Sequence, residues 1–194
     1  MTSMSPYKQC DLELFLHLQP RYLGALTQGV YEQLGKLLML YHDDLGGVAV
    51  AFSRVALKET AGVIMADDPR IHVHVTARAT VFAPPVGCLL RGTVNKLSPD
   101  HIGLLVHDAF NAAIGRAHMP ADLVYDADEQ VWNRTDPAVP IAVGSSLQLA
   151  VMGLEEANGV MSIVCSILPE HLPPTNTAGA PAPAAAAAAQ CVHH

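Results

Sequence analysis

Histidines and acids are the residues of this chain whose types and spacing could do chemistry. His72 and His74 stand two apart in an alternating run. A strand would point both to one face, where two imidazoles could begin a metal site. No third ligand follows nearby, so a polar strand face at a contact is the expected reading. Asp43-Asp44, Asp67-Asp68 and Glu155-Glu156 are paired acids. Acid–base work needs carboxylates buried near one another. All three pairs fall in expected turns, where water keeps them ordinary. Gly144-Ser145-Ser146 lacks the second glycine of a nucleophile elbow, and phosphate-cradling and dinucleotide fingerprints are missing. Cys10, Cys88, Cys165 and Cys191 lie too far apart for a zinc pair or a dense disulfide framework. They read as small buried residues, with Cys191 a tail thiol. No catalysis, cofactor or metal is expected.

Such residues need a scaffold, and the composition provides for one. The chain has 194 residues, 51% of them hydrophobic and 15% charged, which suits one ordinary domain or two small ones. Lys and Arg number 11 against 18 Asp and Glu, a formal charge of −7. That balance excludes a bulk electrostatic grip on nucleic acid, which needs many cations to displace phosphate counterions. Any such contact must be local. No apolar run is long enough to cross a membrane as a helix, and no membrane partner is expected. The first ten residues lack a secretory leader pattern, so secretion is not expected. Asn133-Arg134-Thr135 then fits a glycosylation acceptor only by chance.

The chain divides into three pieces. Residues 7–83 form the first. Leu12, Leu14, Leu16 and Leu18 alternate with Asp11, Glu13, Phe15 and His17, which predicts a strand ended by Pro20. Leu23, Leu26, Val30, Leu34, Leu37 and Tyr41 recur at steps of three and four, which predicts an amphipathic helix of about five turns. Val48–Phe52 reads as a strand and residues 60–69 as a loop. Ile71 to Val81 alternates with polar residues as a long strand. A small sheet with one helix packed across it follows, an α+β layer. Pro84-Pro85 then makes a short, stiff joint.

Residues 86–169 form the second piece. Val86–Leu97 is a long strand whose Gly92 permits a bend or bulge. Ser98-Pro99-Asp100 turns the chain into His101–His107, and Phe110–Ile114 is a short third strand. A polar excursion from Gly115 to about Val143 holds the only tryptophan, Trp132. Strands from Ser146 to Leu154 and from Gly159 to Leu168 are joined by a hairpin turn at Asn158-Gly159. Five short strands with an insertion after the third suit an OB-type β-barrel. Residues 173–194, rich in Ala and Pro, read as a flexible tail.

The run Asn95-Lys96-Leu97-Ser98-Pro99-Asp100-His101-Ile102-Gly103-Leu104-Leu105-Val106-His107-Asp108-Ala109-Phe110-Asn111-Ala112-Ala113-Ile114 closely resembles the OB-domain signature of the large stalk subunit of eukaryotic RNA polymerase I. Leu14–Gly24, with Pro20 and Tyr22, looks like that family's first strand and helix start. Ile71–Val75 and Val81-Phe82-Ala83-Pro84 look like the strand leading into the barrel. The resemblance covers about residues 8–168. Asp108 stands where the family usually has glycine, and Ala113 where it has serine. Paralogous stalk subunits of polymerases II and III and of the archaeal enzyme share the shorter pieces more loosely.

The resemblance implies a non-catalytic subunit with an RNP-like N-terminal tip domain and a C-terminal OB barrel. It implies a nuclear and nucleolar protein acting in initiation on ribosomal RNA genes. Its partners would be polymerase I core subunits, a smaller stalk subunit, the polymerase I initiation factor and nascent RNA. Docking on the core is expected through Leu14, Leu16, Leu18, Pro20, Tyr22, Val81, Phe82 and Pro84. OB barrels bind single strands by stacking bases on aromatics and tracking phosphates with cations. The candidates for RNA are Arg91, Lys96, His101, Phe110 and Arg116. With so few cations there, binding by the barrel alone would be weak and salt-sensitive. The competing readings are a paralogous stalk subunit and a free-standing single-stranded RNA-binding OB protein.

Overall fold

A computed structural model of the chain describes residues 4–59, 61–65, 67–134, 140–157 and 160–172. The expected tail and the Asn158-Gly159 turn lie outside the described residues. Two sheets account for most of the fold. The first is built on β1 (Tyr7–Leu18) and β5 (Asp68–Phe82), antiparallel along their full shared length from Tyr7↔Phe82 to Leu18↔Ile71. β3 (Gly47–Leu57) pairs with the other side of β5, and the short β2 (Tyr41–His42) pairs with β3. The period-two pattern explains the layering. Leu18, Ile71, Val73 and Val75 turn to one face and are buried under α1 (Leu26–Leu37) through Val30 and Leu34. Gln9, Asp11, Glu13, Phe15 and His17 turn to the other face, which no helix covers.

The helix is shorter than its periodicity predicts. A 3-10 turn at Pro20–Tyr22 precedes it, and Gly24 adopts φ 86° between the two. Leu38 is already extended and Met39 has φ 62°, so the chain leaves the helix before Tyr41. Leu23 and Tyr41 therefore do not belong to its apolar stripe. Inside the helix, Gly29 lets the Tyr22 ring lie against the backbone; a Cβ there would stand 2.7 Å from Tyr22 Cγ.

The expected loop at 60–69 contains a strand, β4 (Val63–Met65), which pairs with the start of β5. Three residues carry too little pattern to be read as a strand without their partner. Two of the acid pairs also differ from expectation. Asp67 stays in a turn but Asp68 opens β5, and Glu155-Glu156 both lie in the strand β11 (Ser146–Ala157).

The second sheet closes into a barrel in the order β11-β12-β8-β7-β6. The strands are β6 (Leu89–Leu97), β7 (His101–Val106), β8 (Phe110–Gly115), β11 (Ser146–Ala157) and β12 (Val160–Ser166). Closure comes from β11 pairing with β6, from Ser146↔Thr93 to Ala150↔Leu89. The parallel pair β12–β8 completes the ring. Val94, Ile102, Leu104, Ile114, Leu149 and Ile163 fill the interior. The β6–β7 register slips between Val94 and Lys96 rather than at Gly92. Gly92 instead gives room to Leu149, whose Cδ1 would lie 3.1 Å from a Cβ at that position. The polar excursion is not unstructured. It holds the hairpin β9 (Leu123–Asp126) and β10 (Val131–Arg134), which inserts Leu123 and Trp132 into the barrel core.

The two sheets meet at one end of the helix-free face. Phe82 closes β5 on that face and stacks on Phe110 of the barrel, with ring centroids 3.9 Å apart. Tyr7 hydrogen-bonds His107 through its hydroxyl at 2.7 Å, and the two rings lie parallel at 5.9 Å. Val48 and Phe82 belong to the same buried cluster as the barrel interior. The chain crosses between the sheets at Ala83-Pro84-Pro85, held by an Ala83 N–H to Pro6 carbonyl bond.

Candidate functional site

The residues expected to dock on a partner divide by burial. Leu18, Tyr22, Val81, Phe82 and Pro84 are buried within this chain, and Leu14 and Leu16 are half-buried beneath the helix. Only Pro20 among them is exposed. The apolar surface beside them comes from residues the alternation did not single out, chiefly Leu23 at 74% exposure and Tyr31 at 55%. Arg21 and Tyr22 both bond Glu32, pinning the 3-10 turn to the helix. The Tyr22 bond keeps the Glu32 carboxyl below its usual range, and the same bond raises the Tyr22 hydroxyl.

On the barrel, Arg91, Lys96, His101 and Arg116 are exposed. Lys96, His101 and Arg116 gather at one end: Lys96 pairs with Gly103, His101 with Gly115, and the Arg116 N–H bonds the Asp100 carbonyl. Arg116 lies 5.1 Å above the Trp132 ring, so its guanidinium also covers the inserted hairpin. Phe110 is not open to a base. It is 6% exposed and its face is taken by Phe82. The outward positions of β7 and β8 between these ends are Gly103, Leu105, Asn111 and Ala113, which carry no stacking platform.

The helix-free face of the first sheet is the richer surface. Across β1 and β5, Asp11 faces Arg78, Glu13 faces Thr76, Phe15 faces His74 and His17 faces His72. Arg78 grips Asp11 with bonds of 2.6 and 2.8 Å, which lowers the Asp11 carboxyl and raises the Arg78 guanidinium. Lys58 pairs with Glu13 at 2.9 Å and lowers that carboxyl. At the far end, the side chain of Arg70 clasps Asp68 and holds it well below the usual carboxylate range. No group of three or more His, Cys, Asp or Glu among the described residues is placed to hold a metal. Alternation by itself puts His72 and His74 on one face. Strand register alone joins them to Phe15 and His17.

The barrel's shape and the order of its strands set the context for likeness to known proteins. Residues 84–139 match the family model described as the RPA43 OB domain in RNA Pol I. The chain resembles RPA43. DNA-directed RNA polymerase I subunit RPA43 of Mus musculus is 36% identical over 147 residues, 75% of this chain and 41% of that protein. The Homo sapiens subunit RPA43 is 35% identical over 147 residues, 75% of this chain and 40% of that protein. The Schizosaccharomyces pombe subunit rpa43 is 27% identical over 167 residues, 84% of this chain and 96% of that protein. The chain thus spans about two fifths of the mouse and human RPA43 and nearly all of the fission yeast one. An alignment of 147 residues is longer than either sheet's stretch of chain, so the likeness to RPA43 runs through both. Among the described residues no helix is long and apolar enough to cross a membrane.

Proposed function

We propose that this chain is a non-catalytic stalk subunit of nuclear RNA polymerase I, acting in transcription of ribosomal RNA genes in the nucleolus. Residues 7–83 are its tip domain and residues 86–169 its OB domain. The likeness to RPA43 through both sheets is the observation that carries this reading. Docking on the polymerase core is assigned to the end of the first sheet where Pro20 and Leu23 are exposed above Leu14 and Leu16. The buried Leu18 and Tyr22 hold that surface in shape rather than touching the partner, whereas Val81, Phe82 and Pro84 lie at the opposite end of the sheet, where the chain crosses to the barrel. A smaller stalk partner is assigned to the apolar groove of about 120 Å³ between the sheets, rimmed by exposed Met39, Leu40 and Val160. Exposed apolar surface spanning two sheets supports a protein partner. The initiation factor docks on the assembled stalk, and nascent RNA passes close to it.

The test is affinity purification of the tagged chain from nuclear extract, with mass spectrometry of the proteins recovered with it. Recovery of the two largest polymerase I subunits with a small partner, in near-equal amounts, is the expected result. Recovery of polymerase II or III subunits moves the chain to a paralogous role. Recovery of no polymerase overturns the reading.

A further inference from the structure

The far end of the helix-free sheet face holds a cluster that neither docking nor the barrel uses. Phe15 is 47% exposed. Its ring lies 4.6 Å from His74, 5.1 Å from His17 and 5.5 Å from His72. His17 and His74 are exposed as well. His72 forms the floor at 7% exposure. Its Nε2 lies 3.3 Å from Asp68 Oδ2, but neither ring nitrogen makes a hydrogen bond of good geometry. A Phe this open, ringed by imidazoles rather than aliphatic side chains, presents flat π surfaces to solvent. Such surfaces stack unpaired bases, and Phe and His both serve.

Next to the rings lies an open cavity of about 400 Å³ lined by Arg54, Arg78, Thr76, Asp11 and Glu13. The charges of Arg78 and Lys58 are engaged by Asp11 and Glu13. Arg54 makes no ion pair among the described residues. Its backbone has φ 51°, at the slip in β3–β5 register between Ser53 and Ala56. A non-glycine residue seldom holds that conformation, and such strain gathers where a side chain must be presented. The face carries Arg54, Lys58, Arg70 and Arg78 against Asp11, Glu13 and Asp68, on a chain whose total charge is −7. It is therefore a local exception to the acidic surface, which is the complement a phosphate backbone requires.

We propose that this face binds single-stranded RNA, with Phe15, His17 and His74 stacking successive bases and Arg54 contacting a backbone phosphate. The binding chemistry needs only this chain. That the strand is RNA rests on the polymerase reading, which supplies a nascent transcript.

Fluorescence anisotropy of the full chain with a labelled single-stranded RNA of about 12 nucleotides at low salt tests it. Saturable binding is expected, weakened at least about tenfold by Phe15→Ala and by about threefold with Arg54→Ala, which also flattens the salt dependence. Both side chains are exposed, and unchanged circular dichroism checks that the variants fold. Lys36→Ala in α1, on the other side of the sheet, should leave binding unchanged. A duplex of the same sequence should bind more weakly, because its bases are already stacked. Absence of binding, equal binding of the duplex, tighter binding of the corresponding DNA strand, or loss with Lys96→Ala on the barrel but not Phe15→Ala would each overturn the proposal. A Phe15→Ala chain that loses polymerase in co-purification, where the wild type binds no RNA, would assign the face to a protein instead. RNA binding that persists when no polymerase co-purifies would sink the polymerase reading while leaving this site standing.

Discussion

Asp68 is held in its charged form by Arg70, which bonds it through both Nε and Nη2. Its carboxyl is well below the ordinary range in the folded chain, with the Arg70 side chain the largest cause. In the unfolded chain the same group titrates near the usual value of about 4. The unfolded state thus binds more protons below that value, and stability rises with pH through this window. The contribution is present above about pH 4 and is lost as the solution is acidified. Urea titrations from neutral pH down should show an acid limb that is shallower in Asp68→Asn than in the wild type. Cys165 lies at the other extreme. It is fully buried in β12, and burial pushes its thiol up to about 12. A thiol reacts as its thiolate, so Cys165 should resist iodoacetamide in the native chain. Cys10, part-exposed on β1, should be labelled before Cys165 and Cys88. Peptide mapping after native and denatured labelling distinguishes the two.

At the scale of elements, α1 rests on a close approach rather than on propensity. Gly29→Ala would ordinarily favour a helix by up to about 1 kcal/mol. Here the new Cβ would meet three carbons of the Tyr22 ring and its stem at 2.7 to 3.1 Å. Tyr22 is anchored by Glu32 and Arg21, so it cannot swing aside without losing those bonds. The clash should prevail, and the substitution should lower stability by about 1–3 kcal/mol in chemical denaturation. The β7–β8 connection shows the opposite arrangement. His107 and Asp108 both have positive φ, 52° and 56°, in a turn where glycine or asparagine is the usual solution. The ring of His107 is used at the joint, whereas Asp108 is exposed. Asp108→Gly should therefore raise the melting temperature, by an amount equivalent to about 0.5–1 kcal/mol, without moving the joint.

For the whole molecule, the joint between sheet and barrel is a stack of rings. Phe82 is fully buried and touches Tyr7, Phe110 and His107. Phe82→Ala should cost about 3–5 kcal/mol, the range for truncating a buried Phe. It should also uncouple the sheet from the barrel, because Phe82 is the larger of the two buried residues, with Val48, that the first sheet contributes to the barrel's cluster. Limited proteolysis should then cut near residues 83–88, and small-angle scattering should report a wider molecule. Tyr7→Phe, which removes only the hydroxyl bond to His107, should cost about 1 kcal/mol and leave the scattering unchanged.

Period two in β1 and β5 determined which residues face the helix, because a one-residue slip would expose every leucine. The five barrel strands and the insertion after the third were likewise legible, since each strand carries its own alternation. The run from Asn95 to Ile114 carried the likeness to RPA43 before any coordinate did. Tertiary structure decided the rest. Phe82 sits on the polar face of its strand and is apolar only because the barrel covers that end. Phe15 sits on the same face and is open because nothing covers the other. β4 and the β9–β10 hairpin are too short to announce themselves and exist through their pairing partners. The helix starts late because Gly24 turns the chain after the 3-10 turn and ends early because Met39 turns it again, a demand set by where β1 and β3 lie. Phe15, His17, His72 and His74 meet only through strand register, a long-range fact that local pattern does not contain.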